Sequence, residues 1–262
     1  MLTYPDIKTT VLQIGPIKIY WYGIMYLLGF TLAWLLAKLR AKKYNWNNMV
    51  LNDLVFYSAV GAILGGRLGY VLLYQFAYWL QNPLFIFKIW LGGMSFHGGL
   101  IGAILGLWFF AHKMHLPFLM ITDFTAPLAP PGIALGRIGN FINSELWGRI
   151  TTAPWGMVFP NGGPLPRHPS QLYEALTEGL LLFIILWLYS TKLRIHGQVT
   201  AMFLLLYGCA RFGCEFFREP DSQIGYIELD WLSLSLGQLL SLPMIIIGIV
   251  MLAFLRKKTP IA

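Results

Sequence analysis

Apolar residues gather into seven long runs separated by short polar stretches, and these runs predict helices near 19–39, 53–74, 95–113, 118–136, 171–190, 198–217 and 236–255. Each run approaches the ~20 residues a helix needs to cross a bilayer core. The stretch Leu236 to Leu255 contains no charged residue at all. A membrane barrel would instead show segments of about ten residues with alternating polarity. The expected fold is therefore all-α: a polytopic membrane bundle of about seven transmembrane helices. It forms one integral membrane domain over 1–262, with a small head at 137–170 inserted between helices four and five. Pro127, Pro130, Pro131 and Gly132 interrupt the fourth run, and a broken helix at membrane depth is tolerated only where it is buried in protein or lines a cavity.

Composition sharpens this reading. Of 262 residues 57% are hydrophobic and 11% charged, with a mean hydropathy of +0.62, against roughly 25% charge in soluble domains. The net charge of +8 does not indicate nucleic acid, because the basic residues sit in short clusters at run ends. Lys38, Arg40, Lys42 and Lys43 follow the first run, Lys113 the third, Lys192 and Arg194 the fifth, and Arg256, Lys257 and Lys258 the last. The positive-inside rule then predicts a cytoplasmic C-terminus and an outside N-terminus. The outer side receives residues 137–170 and the acidic group Glu219, Asp221, Glu228 and Asp230. Trp21, Trp79, Trp90, Trp147 and Trp155 suit the headgroup level there. The first 18 residues include Asp6 and lack a basic leader, so the first run is expected to stay in the membrane. Cys209 and Cys214, about 140° apart on a helix, are expected to be packing residues rather than a bridge.

Ionisable groups inside such a bundle are expensive unless paired, which makes them candidates for function. Tyr20, Trp21 and Tyr22 open helix one, where interfacial anchoring is the simple reading. Arg67 lies among the glycines of 65–69 and is equally suited to bracing carbonyls or binding a ligand. His97 opens helix three, where free backbone N–H groups favour anions and disfavour an imidazolium, leaving a base available. The stretch GRIGNFINSELWGR, 136–149, packs Arg137, Asn140, Asn143, Glu145, Gly148 and Arg149 into one segment. Arginine forks suit phosphate and the glycines admit backbone donors. Tyr207, Arg211, Glu215 and Arg218 are spaced to share about 80° of one helix face. The Arg211–Glu215 pair can be structural, or a cation held ready for phosphate. These groups converge on the outer side, where the obvious anionic ligand is a phospholipid headgroup.

The residues also resemble a known family. GRIGNFINSELWGR looks like the signature of the bacterial prolipoprotein diacylglyceryl transferases. WYGIMY (21–26), GGRLGY (65–70), GGMSFHGGLIG (92–102), RHPSQLYE (167–174) and YGCARFGCEFFREPD (207–221) are similar to that family in the same order. The resemblance implies a multi-pass enzyme of the bacterial inner membrane. It implies transfer of diacylglyceryl from phosphatidylglycerol to the lipobox cysteine of a preprolipoprotein signal peptide, with release of glycerol phosphate, the first step of lipoprotein maturation. No cofactor, metal or nucleic acid is implied. Residue by residue it assigns lipid binding to Arg137, essential roles to Tyr22, His97, Asn140, Glu145, Gly148 and Arg211, and supporting roles to Tyr207 and Glu215. The segment between Arg149 and Arg167 is shorter than in some relatives, so no contacts of the head are carried over.

A thiol attacking the glyceryl carbon needs its proton removed, since a free thiol has a pKa near 8.5. His97 is the first candidate for that base and Glu215 the second. Arg137 and Arg211 would hold the phosphodiester and stabilise the departing phosphate. The rival class is a transporter or flippase for an anionic solute, which also uses broken helices and buried arginines. No internal repeat is visible, and the polar groups gather toward one face rather than the midplane, which favours an enzyme.

Overall fold

The computed structural model describes residues 2–5, 7–15, 17–192, 194–220, 225–229 and 232–256. Asp6, Asp221, Asp230, Lys257 and Lys258, used above, lie outside the described residues. The chain is mostly helical: α1 Trp21–Ala41, α2 Asn48–Tyr74, α3 Phe76–Gln81, α4 Phe96–Lys113, α5 Phe118–Thr125, α6 Ala129–Ile142, α7 Ser170–Glu174, α8 Leu182–Tyr189, α9 Gln198–Cys214 and α10 Leu236–Leu255. Among the described residues five helical stretches are long and apolar enough to cross a membrane: Trp21–Tyr44, Asn48–Tyr74, Phe118–Ile142, Ser170–Tyr189 and Leu236–Leu255. The other two runs also fold as helices. α9 is apolar but shorter, and α4 is diluted by Gly98, Gly99, Gly102, Gly106, two histidines and Lys113. Helices α1, α2 and α10 expose apolar surface, with Leu27, Leu73 and Phe254 exposing 69%, 70% and 72% of their area.

Caps explain where several helices begin. Asn47 accepts from Val50 N at 3.0 Å to start α2, and Ser95 accepts from Gly98 N at 3.2 Å to start α4. Ser235 and Gln238 form a reciprocal capping box at the head of α10. α9 starts at a glycine, and Asp123 caps it from α5 by accepting from Gly197 N and Thr200 N, each at 2.7 Å.

Two sequence expectations change. The prolines interrupt the fourth run as a single buried 3₁₀ turn, Ala126–Leu128, that joins α5 to α6 without ending the helical stretch. Pro130 and Pro131 occupy the first turn of α6, where an N–H has no intrahelical partner to lose. The helix consequently runs on to Ile142, so Arg137 and Asn140 sit on α6 rather than in a head. Nor is the chain purely α. Among the described residues there are three two-stranded sheets: β1 Leu2–Thr3 parallel to β4 Met157–Val158, the hairpin β2 Thr10–Ile14 with β3 Ile17–Tyr20, and the hairpin β5 Tyr226–Leu229 with β6 Leu232–Ser235.

The chain divides into two compact units, Met1–Leu36 with Asp123–Ala262, and Ala37–Thr122. The second unit is built on a glycine seam between α2 and α4. A Cβ on Gly65 would lie 2.3 Å from Gly98 O, one on Gly98 2.4 Å from Gly65 O, and one on Gly102 2.0 Å from Gly61 O. The two backbones therefore touch directly, the approach that small residues permit in membranes. In the first unit Ala126, Leu182, Leu186 and Val199 form a buried cluster flanked by Phe203 and Tyr207. Between α7 and α8 the helix widens into a π segment, Ala175–Leu181.

Candidate active site

The first unit buries an ion-pair cluster of three arginines and three glutamates. α6 brings Arg137, α9 brings Arg211 with Glu215 at its C-cap, and α7 with the π segment brings Glu174 and Glu178. Both of these glutamates are fully buried. Arg137 Nε lies 2.9 Å from Glu174 Oε2, and its Nη2 lies 3.3 Å from Glu178 Oε2. Arg211 Nη1 lies 3.1 Å from Glu174 Oε1 and 3.4 Å from Glu178 Oε1. Arg211 Nη2 also pairs with Glu215 Oε1. Arg218 joins from beyond the helix, with Nη1 3.6 Å from Glu174 Oε1 and Nε 3.9 Å from Glu215 Oε1.

Further bonds hold this cluster rigid. Ser235 Oγ donates to Glu215 Oε2 at 2.6 Å, so the cap of α10 is also a partner of the site. Gly237 leaves the room for it, since a Cβ there would meet Glu215 Cδ at 2.5 Å. Tyr207, stacked on Phe203, lies within electrostatic reach of Glu178, Arg211 and Arg137. Isolated charges at such depth cost several kcal/mol, whereas mutual pairing and hydrogen bonding make the group tolerable.

Beside the cluster, the turn after α6 is shaped by its own polar groups. Glu145 Oε1 accepts from Asn140 Nδ2 at 2.8 Å and from Asn143 Nδ2 at 3.3 Å. Gln171 Nε2 donates to the Glu145 carbonyl at 2.7 Å. Ser144 and Leu146 take left-handed conformations, φ 52° and 57°, that non-glycine residues avoid. Backbone held this way persists only when its surroundings over-determine it. Gly148 then locks the turn to two other segments: its N–H donates to His168 O, and Arg149 N–H donates to Phe217 O, both at 2.9 Å. The Arg149 side chain adds donors to Arg218 O and Glu215 O at 3.0 and 3.1 Å. Just before α7, His168 Nδ1 lies 3.1 Å from Oη of Tyr173 on that helix, which accepts from Trp155 Nε1 at 2.8 Å. Burial lowers the His168 pKa below the ordinary value.

Of the residues singled out from sequence, the first unit brings Arg137, Arg211, Glu215 and Tyr207 into the cluster and Asn140, Glu145 and Gly148 into the adjoining turn. Tyr22 lies on α1 with its ring over Gly139, whose Cβ would meet it at 2.8 Å, and its hydroxyl is 3.4 Å from Tyr26 Oη. A groove of about 500 Å³ runs past Tyr22 and Asn143, with Lys18 and Tyr20 also lining it.

Arg67 and His97 belong to the second unit. Arg67 is buried and directs all its N–H groups to backbone carbonyls: Nε to Ile86, Nη1 to Gly92 and Gly93, Nη2 to Phe85 and Lys88. It thus braces the loop before α4. His97 is the second residue of α4, exposed, and edge-on to Phe96.

Glu174 and Glu178 were missed from sequence. The available signal was two glutamates four residues apart in an otherwise apolar run, a pattern that places both on one helix face. No group of three or more potential metal ligands occurs among the described residues.

A family model described as prolipoprotein diacylglyceryl transferase matches residues 9–254. The chain belongs to this family. It is 58% identical over 250 residues to the phosphatidylglycerol–prolipoprotein diacylglyceryl transferase of Coxiella burnetii (strain RSA 331 / Henzerling II), covering 95% of each chain. It is 57% identical over 259 residues to the protein of that name from Oleidesulfovibrio alaskensis, covering 98% of this chain and 96% of the relative. Against that of Legionella pneumophila (strain Lens) the identity is 55% over 251 residues, with 95% and 97% covered. Membership gives the cluster of Arg137, Arg211 and their glutamates a chemical context: a family whose name joins a lipid group to a protein.

Proposed function

We infer that this chain is a phosphatidylglycerol–prolipoprotein diacylglyceryl transferase. It moves the diacylglyceryl group of phosphatidylglycerol onto the cysteine thiol of a prolipoprotein, forming a thioether and releasing glycerol phosphate, the first step of lipoprotein maturation. The acceptor is the lipobox cysteine, and the protein sits in the bacterial inner membrane with seven passes, its N-terminus and the segment after α6 periplasmic and its C-terminus cytoplasmic. The positive clusters at alternate helix ends support that orientation. A periplasm-active reporter working after Lys258 together with a cytoplasm-active one working after Trp147 would overturn it.

In the reaction, sulfur attacks the glyceryl carbon that carries the phosphate ester. The C–O bond breaks, its electron pair leaves with the phosphate oxygen, and the thiol proton passes to a base. The observation that carries this reading is the pairing of Arg137 and Arg211 through two shared glutamates, which fixes two guanidinium forks together in a low-dielectric site. Forks held in advance need no reorganisation as charge develops on the leaving phosphate, an effect commonly worth several kcal/mol. Glu215 already receives Arg211 and Ser235, which makes it an anchor and favours His97 as the base. Tyr22, Asn140, Glu145 and Tyr207 shape the lipid side. Arg67 acts through the loop it braces, and Gly148 through the turn it locks.

The test is direct: purified protein, phosphatidylglycerol and a lipobox peptide are expected to give a diacylglyceryl peptide and free glycerol phosphate in detergent. A Cys→Ser peptide should fail, because an alkoxide is far harder to form than a thiolate. Unmodified peptide in the presence of folded protein and confirmed lipid refutes the assignment.

A further inference from the structure

The forks of Arg137 and Arg211 are not idle. Glu174 and Glu178 each contact both of them, and with Glu215 and Arg218 the cluster holds three positive and three negative side chains. A phosphate therefore meets arginines whose charge is already matched. The two shared glutamates differ in grip. Glu174 sits 2.9 and 3.1 Å from the two guanidiniums and also reaches Arg218. Glu178 sits 3.3 and 3.4 Å away. Glu178 nevertheless accepts a hydrogen bond from each fork, from Arg137 Nη2 at 3.3 Å and Arg211 Nη1 at 3.4 Å, whereas Glu174 accepts from Arg211 and only faces Arg137 Nε as a charge. Bonds longer than the usual 2.7–2.9 Å of charge-assisted pairs make Glu178 the counter-charge common to both forks. Glu178 also lies inside the π segment, an irregularity frequent at functional sites.

We propose that Glu178 is a positioning residue whose negative charge weakens the hold of Arg137 and Arg211 on phosphate, so that glycerol phosphate can leave after transfer. The lipid phosphodiester carries one negative charge, and the released monoester carries one or two. A clamp with unmatched arginines would bind the product at least as tightly as the substrate, and interactions equal in ground and transition states do not raise kcat. This inference rests on the transferase reading, and the wild-type product assay judges that reading separately.

The experiment measures kcat and KM for phosphatidylglycerol in mixed micelles, together with inhibition by added glycerol phosphate, for wild-type and Glu178→Gln protein. Glutamine keeps the shape and removes the charge. KM is expected to fall by about fifty-fold, the order that one charge ~7 Å from the phosphate gives at an effective dielectric near 20, and glycerol phosphate should inhibit at correspondingly lower concentration. The kcat should fall with them. Glu178→Asp, which keeps the charge, should return KM toward the wild-type value. A purely structural glutamate predicts the reverse, a KM unchanged or raised in Glu178→Gln, and that result overturns the proposal. Should Glu178→Gln not fold, Glu174→Gln removes the same charge from the same cluster and is expected to lower KM. Failure of the first variant to fold combined with no tighter binding in the second also overturns it.

Discussion

Gly148→Ala places one methyl group where three chain segments meet. The new Cβ would lie 2.4 Å from Phe217 O and 2.6 Å from His168 O, against 3.4 Å for ordinary contact, shortfalls of 1.0 and 0.8 Å (3.4 − 2.4 and 3.4 − 2.6). Both oxygens are ladder acceptors, from Arg149 N and Gly148 N at 2.9 Å. Backing away by about 1 Å carries both bonds beyond hydrogen-bonding range. Two lost bonds cost about 1 kcal/mol each, and forcing volume into a packed joint adds about 1–2 kcal/mol, for a total of about 3–4 kcal/mol. Arg149 then loses its registration on the carbonyls of Glu215 and Arg218, so the arginine cluster loosens as well. The expected result is a melting midpoint in detergent lower by roughly 6–16 °C at the usual 2–4 °C per kcal/mol, with most transferase turnover lost. Gly136→Ala is the control within the same motif: its Cβ meets nothing within 4 Å, and alanine is the better helix former. Its midpoint should be unchanged or higher. A Gly148→Ala protein with wild-type midpoint and turnover would refute the steric argument.

Arg137→Lys and Arg211→Lys should each lose most turnover while still inserting, because a single ammonium cannot replace a fork shared between carboxylates and phosphate; radiolabelled lipid transfer with a midpoint measurement checks both. Arg67→Lys should release the loop at residues 85–93, read as faster proteolysis there, with KM for the lipid unchanged; a raised KM with an intact loop would instead make Arg67 a lipid ligand. His168 has a depressed pKa, so its neutral form is the folded one. Its contribution to stability is present above the ordinary histidine value of about 6.5 and is lost as pH falls below it. His168→Phe should flatten that acid limb of the midpoint profile.

Helix existence was legible because apolar runs of bilayer length admit few other structures, whereas the α2–α4 seam emerged only in the structure, where glycines at 61, 65, 98 and 102 leave no side chain to hold backbones apart. The Tyr207–Arg211–Glu215 face was likewise readable from spacing alone. The reach of α6 to Ile142 was not legible, since a proline that interrupts a helix and one that opens it look alike until the preceding turn is known. The role of Glu174 and Glu178 is not legible in the sequence, because the partners that bury them come from α6 and α9. The short strands carry too few residues to show a period of two, and one of the three pairings joins segments far apart in sequence, Leu2 with Met157.

The shared cluster also constrains how the chain is assembled. Arg137 leaves the insertion machinery first, on α6, with no carboxylate of the cluster yet made. A charge at the centre of a lone helix costs about 2.5–3.5 kcal/mol on insertion, an upper bound for Arg137 near the end of its helix. Synthesis of the Ser170–Tyr189 helix brings Glu174 and Glu178, which match Arg137 and leave one carboxylate in excess. Only α9 and the residues just beyond it, supplying Arg211, Glu215 and Arg218, bring the sum to zero. These three helices therefore cannot partition into lipid as independent units and are expected to leave the translocation channel together. A nascent chain cut short before Arg218 carries unmatched charge in its helices, a physical mark by which a membrane protease can distinguish it from the finished protein.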